Sequence, residues 1–328
     1  MASQEGLALV DRDELGVDRA FREDVLAGLS QEPKAIPARW LYDDAGSQLF
    51  EDITQVPEYY PTRAETSILE RRGTDFAKAV GSGRAVVEFG SGSSVKTPLL
   101  LRAIEPRAYV PLDIAGDFLR DAADQLSAKF PGLPVHPVEA DFMKQVELPA
   151  EVADHPKLGF FPGSTIGNMV PRTATDLLRA MRDTLGTGAK LLIGMDLVKD
   201  ADVLEAAYDD AKGVTAEFNL NLARRINREL EGTIPIDALH HEARWNDTFA
   251  RVEMHLVANR DITFEVSGKH FALKAGESIH TENSHKFTER SSSTLLLAGE
   301  WTPVDRWTDD DGLFSLILAE AQPLRAAP

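Results

Sequence analysis

The chain has 328 residues, of which 43% are hydrophobic, and its formal net charge at pH 7 is −18. This length exceeds the usual size of one domain and predicts either a domain with a large insertion or two domains. The acidic balance disfavours a nucleic-acid partner, because an acidic surface repels phosphates. Since the sequence has no cysteine, it excludes disulfides, thiolate metal sites and cysteine nucleophiles.

The sequence gives no sign of a targeting or membrane-spanning segment. Residues 1–18 lack the basic and apolar regions of a signal peptide. No apolar run approaches the length that spans a bilayer. We therefore expect a cytoplasmic protein that has no membrane partner.

The predicted elements begin with an amphipathic helix and continue as alternating helices and strands. Residues 17–30 place Phe21, Val25 and Leu29 four residues apart, which is helical spacing. Strands are then predicted at 84–89, 107–113, 134–139, 157–162 and 189–195, with helices at 64–80, 95–104, 115–129 and 172–185. This alternation is typical of a parallel, doubly wound sheet.

The pattern changes after residue 196. Helical sequence at 200–229 precedes alternating segments, which predict an antiparallel meander of strands at 237–246, 249–259, 261–265 and 270–273. A helix near 286–299 and two strands, at about 301–307 and 312–319, would then return to the parallel sheet. The sequence therefore predicts an α/β core with an inserted α+β region.

Glycines and acids follow four of the predicted strands of the core. Gly90 and Gly92 come after the first strand, Asp113 after the second and Asp141 after the third, while the segment after the fourth ends at Asn168. In open α/β sheets, ligands bind in the crevice outside the carboxyl ends of the strands. These residues therefore predict one crevice, which indicates an enzyme or a nucleotide-binding protein.

The details of this crevice favour a ligand without phosphates. The third glycine of a dinucleotide fingerprint is replaced by Val95, and the chain has no P-loop pattern. Asp113 would accept hydrogen bonds from ribose hydroxyls, Asp141 would accept one from an adenine amine, and the Phe142 ring would pack on the purine. S-adenosylmethionine (SAM) is such a ligand. Alternatively, the glycines form an ordinary loop and the two acids cap helices.

Two other kinds of chemistry have no support in the sequence. The histidines show no His-Glu-x-x-His or similar metal-ligand spacing, and His240 and His241 are adjacent. No Gly-x-Ser-x-Gly elbow of a serine hydrolase is present. We therefore predict neither a metal site nor serine-hydrolase activity.

Motifs spread over nearly the whole chain resemble one family. They are Leu41-Tyr42-Asp43, Pro57-Glu58-Tyr59-Tyr60-Pro61-Thr62-Arg63, Glu88-Phe89-Gly90-Ser91-Gly92, Gly163-Ser164-Thr165-Ile166-Gly167-Asn168, Asp196-Leu197-Val198-Lys199-Asp200, Ala207-Tyr208-Asp209-Asp210 and Thr281-Glu282-Asn283-Ser284. Together they resemble the SAM-dependent histidine Nα-methyltransferases that begin ergothioneine biosynthesis. The cofactor motifs are common to many methyltransferases, whereas the second and last segments are far more specific.

The resemblance implies a role for each matching residue. The residues that would hold SAM are Gly90, Lys96, Asp113, Asp141 and Phe142. Asn168 and Tyr208 would meet the amino and carboxylate end of the substrate, and Tyr42 would lie near the reacting amine. The imidazole side of the substrate would be surrounded by Tyr59, Glu282, Asn283 and Ser284, with Met254 and Phe50 as walls. Tyr42 and Asn168 are thereby the expected catalytic residues.

The resemblance also implies a domain organisation and an activity. Residues 63–196 plus 286–328 would form a Rossmann-like class I methyltransferase core that binds SAM, and residues 8–62 plus 197–285 a substrate domain. A monomer would transfer methyl groups from SAM to the α-amine of L-histidine, giving Nα,Nα,Nα-trimethylhistidine (hercynine) in the first step of ergothioneine biosynthesis.

Several alternatives stay open on the residues alone. The three tyrosines could be core aromatics, Asn168 a turn residue of left-handed conformation and Glu282 a surface acid. At the level of function, the alternatives are a methyltransferase of another amino acid or small amine and, more remotely, a SAM-binding regulatory protein without catalysis.

Overall fold

The structure is a computed structural model that describes residues 16–92, 96–114 and 116–323. The parts of the predictions that fall on residues 1–15, Val95, Ala115 and residues 324–328 lie outside the described residues. The chain divides into two compact units. The core unit comprises Pro61–Val198 and the described residues from His285 onward, and the insert unit comprises the described residues up to Tyr60 and Lys199–Ser284.

The described residues form helices and strands with the following bounds. The helices are α1 (Arg19–Ser30), α2 (Asp44–Ile53), α3 (Pro61–Arg71), α4 (Gly73–Val80), α5 (Thr97–Ile104), α6 (Gly116–Lys129), α7 (Pro171–Leu185), α8 (Ala201–Tyr208), α9 (Val214–Glu229) and α10 (Glu289–Ala298). The strands are β1 (Lys34–Ala35), β2 (Ala85–Phe89), β3 (Ala108–Asp113), β4 (Val138–Glu139), β5 (Lys157–Phe161), β6 (Lys190–Asp196), β7 (Leu239–Asn246), β8 (Arg251–Ala258), β9 (Ile262–Val266), β10 (Lys269–Leu273), β11 (Ser278–His285), β12 (Trp301–Thr308) and β13 (Phe314–Ala321). Short 3-10 helices lie at Ala38–Leu41, Ala150–Val152, Thr165–Asn168 and Ile236–Ala238. In the described part of the chain, no helix has the length and apolar character needed to cross a membrane.

The core unit contains a sheet with the strand order β12-β13-β6-β5-β2-β3-β4. Strands β4, β3, β2, β5 and β6 are parallel to one another, whereas β13 is antiparallel to both β6 and β12. Along β2, Val87 and Phe89 pack into one apolar cluster and Val86 into another. A sheet that is covered on both faces needs strands that are apolar throughout. The predicted α/β class, with a Rossmann-like sheet of the class I methyltransferase type, is confirmed.

The insert unit contains a sheet with the order β1-β11-β8-β7, beside a separate hairpin of β9 and β10. Its apolar core includes the predicted face of α1, where Phe21, Val25 and Leu29 are buried. Helix α9 adds Phe218 and Leu222 to this core at a spacing of four residues. The predicted helix at the start of the chain is therefore confirmed.

Two predictions for the insert unit are corrected. The single meander is wrong, because β9 and β10 pair only with each other and β8 pairs with β11 and β7. The predicted helix over 200–229 is two helices, since the segment between α8 and α9 forms a turn in which Asp210 accepts hydrogen bonds from the backbone of Val214 and Thr215. Strand β11 was not predicted, because its sequence Ser-Ile-His-Thr-Glu-Asn-Ser-His has one aliphatic side chain.

Two predictions for the core unit are also corrected. The helix expected over 64–80 is interrupted at Arg72, where α3 ends and α4 follows. The strand expected over 134–139 is reduced to Val138–Glu139, with an isolated bridge from Val135 to β3. Pro134 and Pro137 flank that bridge and have no amide hydrogen to donate to a sheet ladder.

Candidate cofactor and substrate sites

The turn after β2 is anchored on the end of β3. Gly90 has a φ of 71°, and its amide donates to the Leu112 carbonyl at 2.9 Å. The Gly92 amide donates to Asp113 Oδ2 at 3.3 Å. A Cβ atom at Gly90 would lie 3.5 Å from the Phe142 ring, so the glycine leaves a space beside that aromatic face. The structure thus brings together three of the residues assigned to SAM.

Asp141 and Phe142 follow β4 in a tight turn. Asp141 Oδ1 accepts a hydrogen bond from the Met143 amide at 3.0 Å. The Phe142 ring makes edge contacts with Phe89 and Phe161, with centroids 6.2 and 6.3 Å apart. These contacts fix the orientation of the ring that we assign to the purine. The alternative that Asp141 caps a helix is wrong, because its side chain closes a turn.

Glu88, the one acid of β2, is fully buried and hydrogen-bonded. Its carboxylate accepts from Thr97 Oγ1 at 2.7 and 2.9 Å and from the Tyr109 hydroxyl at 2.5 Å. Burial raises the pKa of this carboxyl to about 7, although the hydrogen bonds oppose the shift. Glu88 therefore ties β2 to the start of α5 and to β3, and holds the turn between them.

Lys96, which precedes α5, pairs with an acid that the sequence reasoning did not identify. Its Nζ lies 2.6 Å from Glu65 Oε2, and Glu65 is 0% exposed. The same carboxylate accepts from the Gly163 amide at 2.9 Å. Glu65 is one of two acids on α3, and an acid in a polar-looking helix gives no signal that its side chain is buried.

The segment that ends at Asn168 is held by its neighbours in the core unit. Ser164 has left-handed backbone, with φ 56°, and its hydroxyl accepts from the Asp196 amide at 2.9 Å. The Gly167 amide donates to the Ser164 carbonyl at 2.8 Å, and a Cβ atom at Gly167 would lie 2.8 Å from the His285 carbonyl oxygen. Asn168 is the last residue of a 3-10 helix. The alternative of a left-handed Asn168 is therefore wrong, since its backbone is helical; Ser164, four residues earlier, is left-handed instead.

Strand β11, in the insert unit, carries two polar residues that the resemblance assigns to the substrate. Glu282 and Ser284 are two residues apart on one strand, so their side chains share a face, and both are buried. The Tyr42 hydroxyl lies 3.4 Å from Glu282 Oε1, and the Tyr208 hydroxyl lies 2.7 Å from Ser284 Oγ. Four predicted site residues, from three distant parts of the sequence, thus form two contacting pairs.

Aromatic rings surround these pairs. The Tyr42 ring lies 5.6 Å from Phe50, and the Tyr59 ring lies 6.3 Å from Phe50 and 6.0 Å from Tyr208. Although Tyr42 is 38% exposed, desolvation of its hydroxyl and the Glu282 carboxylate together raise its pKa well above the usual value. Tyr42 is therefore a neutral phenol at pH 7, which donates a hydrogen bond and has no tendency to act as a base.

Asn283 and Met254, the other predicted substrate residues of the insert unit, are placed differently from Glu282 and Ser284. Asn283 is the intervening residue of β11, and alternation along a strand places its side chain on the opposite face. Met254 on β8 is buried in the apolar core of the insert unit, and its carbonyl accepts from the Thr281 hydroxyl at 3.0 Å. Met254 thus shares an apolar cluster with Tyr59, against which Phe50 and Tyr208 also pack.

His241 supports Tyr208 and was missed as a functional residue. His241 Nε2 lies 2.7 Å from the Tyr208 carbonyl, and Nδ1 lies 2.9 Å from Asn219 Nδ2. The carbonyl only accepts and the amide nitrogen only donates, so the ring must be neutral with its proton on Nε2. Burial lowers the pKa of this histidine, which favours the same neutral form. A histidine that bonds a distant backbone carbonyl has no spacing signature in the sequence, in contrast to a metal ligand.

An α/β sheet with a glycine turn and acids at its strand ends defines a class of proteins that bind nucleotide-like cofactors. Residues 21–321 match the family model described as histidine-specific, SAM-dependent methyltransferase. Because this match covers most of the sequence, the chain belongs to that family.

Relatives of known activity agree with this assignment. The chain is 40% identical to the histidine N-alpha-methyltransferase of Mycolicibacterium smegmatis over 306 residues, which are 92% of this chain and 94% of the relative. It is 41% identical to the protein of the same name from Mycobacterium tuberculosis, with the same two coverages. It is also 30% identical to ergothioneine biosynthesis protein 1 of Neurospora crassa, over 84% of this chain and 32% of that protein.

Proposed function

We propose that this protein transfers methyl groups from SAM to the α-amine of L-histidine and yields Nα,Nα,Nα-trimethylhistidine. The observation that carries this proposal is the polar cluster on β11, where Glu282 and Ser284 are each buried and paired with a tyrosine hydroxyl. Family membership supports the cofactor and the substrate class. The name of the Neurospora relative supports a place in ergothioneine biosynthesis.

The polar cluster matches a neutral imidazole. Such a ring has one N–H donor and one bare nitrogen that accepts. Glu282 accepts from the N–H, and the Ser284 hydroxyl donates to the other nitrogen while it accepts from Tyr208. A site built this way rejects an apolar ring, because its own buried polar atoms would be left unpaired.

The residues at the strand ends of the core unit fit the cofactor. A carboxylate accepts several hydrogen bonds, so Asp113 would accept from the ribose hydroxyls in addition to the Gly92 amide. The purine would pack on the oriented Phe142 ring, in the space beside Gly90 that a larger residue would fill. The adenine amine would donate to Asp141. Lys96 is also assigned to the cofactor. When bound, SAM supplies an electrophilic methyl group and its own leaving group.

The remaining task of the protein is to present a neutral amine. A model α-amine has a pKa of about 8, so a fraction of it is neutral at pH 7 without a strong base. Since the raised pKa of Tyr42 keeps this residue protonated, Tyr42 orients the amine, as Asn168 does, and water removes the proton. Orientation of this kind contributes up to about 7–11 kcal/mol of the barrier reduction. The aromatic face of Tyr42 then favours the quaternary product by cation–π attraction.

The proposal is tested by incubating the protein with SAM and histidine and weighing the product by mass spectrometry. We expect up to three added methyl groups, all on the α-nitrogen by fragmentation. Phenylalanine and leucine serve as matched controls, because they carry the same amino and carboxylate groups. Methylation of these controls at the rate of histidine would favour the alternative of a broader amine methyltransferase.

A thermal-shift assay separates the enzyme from a regulatory SAM-binding protein. SAM should stabilise either protein, whereas histidine should add stability only to the enzyme, because ligands stabilise the states to which they bind. The proposal includes a cytoplasmic monomer. Sedimentation velocity of the purified protein tests the monomer, and cell fractionation tests the location.

A further inference from the structure

The ring of His241 joins an asparagine of α9 to the end of α8 in the insert unit. Asn219 on α9 and His241 on β7 are both buried. Asn219 Nδ2 lies 3.1 Å from the His255 carbonyl oxygen and 2.9 Å from His241 Nδ1. On the other side of the ring, His241 Nε2 lies 2.7 Å from the Tyr208 carbonyl oxygen. A line of hydrogen bonds therefore runs from β8 through α9 and β7 to the last residue of α8.

The direction of each hydrogen bond in this line is determined by the two backbone carbonyls at its ends. A carbonyl only accepts, so the Asn219 side chain presents its amide nitrogen, and not its oxygen, to His255. The second hydrogen on that nitrogen is donated to His241 Nδ1, and the ring proton on Nε2 is donated to Tyr208. The amide and the ring therefore hold each other in one orientation.

The anchored carbonyl belongs to a residue whose hydroxyl lies in the polar cluster on β11. Tyr208 ends α8, and the last carbonyls of a helix need partners beyond its regular hydrogen bonds. The Tyr208 hydroxyl lies 2.7 Å from Ser284 Oγ, and its ring lies 6.0 Å from that of Tyr59. Because a tyrosine side chain has two rotatable bonds, a fixed backbone leaves the hydroxyl few positions.

We propose that His241 is a positioning residue for the substrate: by holding the Tyr208 carbonyl, it directs the Tyr208 hydroxyl onto Ser284 and so fixes the Ser284 hydroxyl as a donor to the bare imidazole nitrogen. This inference deepens the proposed function and rests on its assignment of Ser284. A serine hydroxyl has one hydrogen. Since Ser284 donates that hydrogen to the substrate, it accepts from Tyr208. His241 thus acts through Tyr208.

The test is steady-state kinetics of histidine methylation by the full chain and by variants at position 241. His241→Leu removes the donor and should raise KM for histidine by roughly tenfold, the effect of losing one buried hydrogen bond. The change in kcat should stay below about threefold, because the loss concerns binding of the amino acid, and SAM affinity should not change. His241→Gln, which keeps an N–H donor of similar reach, should restore most of the KM.

A double-mutant cycle with Tyr208→Phe separates positioning from a general effect on the fold. If His241 acts through the Tyr208 hydroxyl, His241→Leu should raise KM by less than about twofold once that hydroxyl is absent. His240→Leu is the matched control, because His240 is the adjacent residue of β7 and its ring contacts Glu242. The KM of this control should equal that of the unsubstituted protein.

A measurement on the unsubstituted protein tests the anchor without catalysis. A long-range proton–nitrogen NMR spectrum at neutral pH should show the His241 ring protonated on Nε2. The signal is assigned by its absence from His241→Gln. A ring protonated on Nδ1 would overturn the inference.

Two kinetic outcomes would also overturn it. One is an equal rise in KM for His241→Leu with and without the Tyr208 hydroxyl, and the other is the same rise in His240→Leu. If His241→Leu does not fold, His241→Gln decides, since a KM as high as that of Tyr208→Phe would contradict positioning by an N–H donor. Failure of the unsubstituted protein to methylate histidine would instead contradict the proposed function, and the NMR spectrum would still test the anchor.

Discussion

The two clusters of predicted site residues are built in different ways. In the core unit, Gly92 and Asp113 lie 21 residues apart, and a backbone amide meets a side chain at neighbouring strand ends. In the insert unit, Tyr42 and Glu282 lie 240 residues apart, and two side chains meet. The comparison indicates that the cofactor site follows from the fold, whereas the substrate site depends on a few side chains. Substitutions should therefore separate cofactor affinity from substrate choice.

The largest predicted effect is that of pH on stability, and its sign should differ between the two units. Burial and a neighbouring histidine lower the pKa of His255 to about 4, so the unfolded chain binds more protons than the folded chain between about pH 6.5 and 4. The insert unit should lose up to about 3 kcal/mol as the pH falls through this window. The lowered pKa values of His241 and His280 act in the same direction.

Glu88 should have the opposite effect in the core unit. Its folded pKa of about 7 lies above the ordinary 4.5, so its contribution to stability is present below pH 4.5 and is lost as the pH rises through about 7. Hydrogen exchange at pH 7 and at pH 5 should therefore show faster opening of β8 and β11 at the lower pH, after correction for intrinsic rates. The variant His255→Gln should flatten that response, and a uniform response in both units would contradict this account.

Asn168 tests this division between the units, because it lies in the core unit but is assigned to the substrate. Asn168→Ala should lower kcat by roughly 100-fold, the loss expected from a misplaced reacting group, and should leave the dissociation constant of SAM within about twofold. Single-turnover kinetics measures the predicted loss of rate, and calorimetry measures the dissociation constant of SAM. Met169→Leu, at the next position, is the control. Full activity of Asn168→Ala would show that the residue serves only its local turn.

The two units also differ in how much of their structure could be predicted from the sequence. The core strands could be predicted because they are apolar throughout, and residues could be assigned to the cofactor because they stand where those strands end. Strand β11 was missed because its polar side chains are buried by partners that the sequence does not reveal. Glu282 and Ser284 on this strand were assigned to the substrate only through the family resemblance. Glu65 and His241 were missed because each acts on another residue through tertiary packing.

Asp113→Ala tests whether cofactor affinity can be changed without a change in substrate preference. It should weaken SAM binding by about 1.5–3 kcal/mol, the range for hydrogen bonds to a charged group, and it also frees the Gly92 amide from its anchor. Calorimetric titration measures the loss. The preference for histidine over phenylalanine should hardly change, because the imidazole is assigned to the other unit. Unchanged SAM affinity would place the cofactor elsewhere.

The most direct test of the central claim is a comparison of kcat/KM for histidine and phenylalanine in the unsubstituted protein and in Glu282→Ala. Loss of a charge-assisted hydrogen bond should cost histidine about 2–3 kcal/mol of transition-state stabilisation. The penalty against phenylalanine should diminish, because no buried carboxylate is then left unpaired. Glu282→Gln, which keeps an acceptor of the same shape, should lose less. We predict that the ratio of kcat/KM for histidine to kcat/KM for phenylalanine falls, because the first value decreases and the second increases. Equal losses for the two substrates would contradict the claim that Glu282 recognises the imidazole.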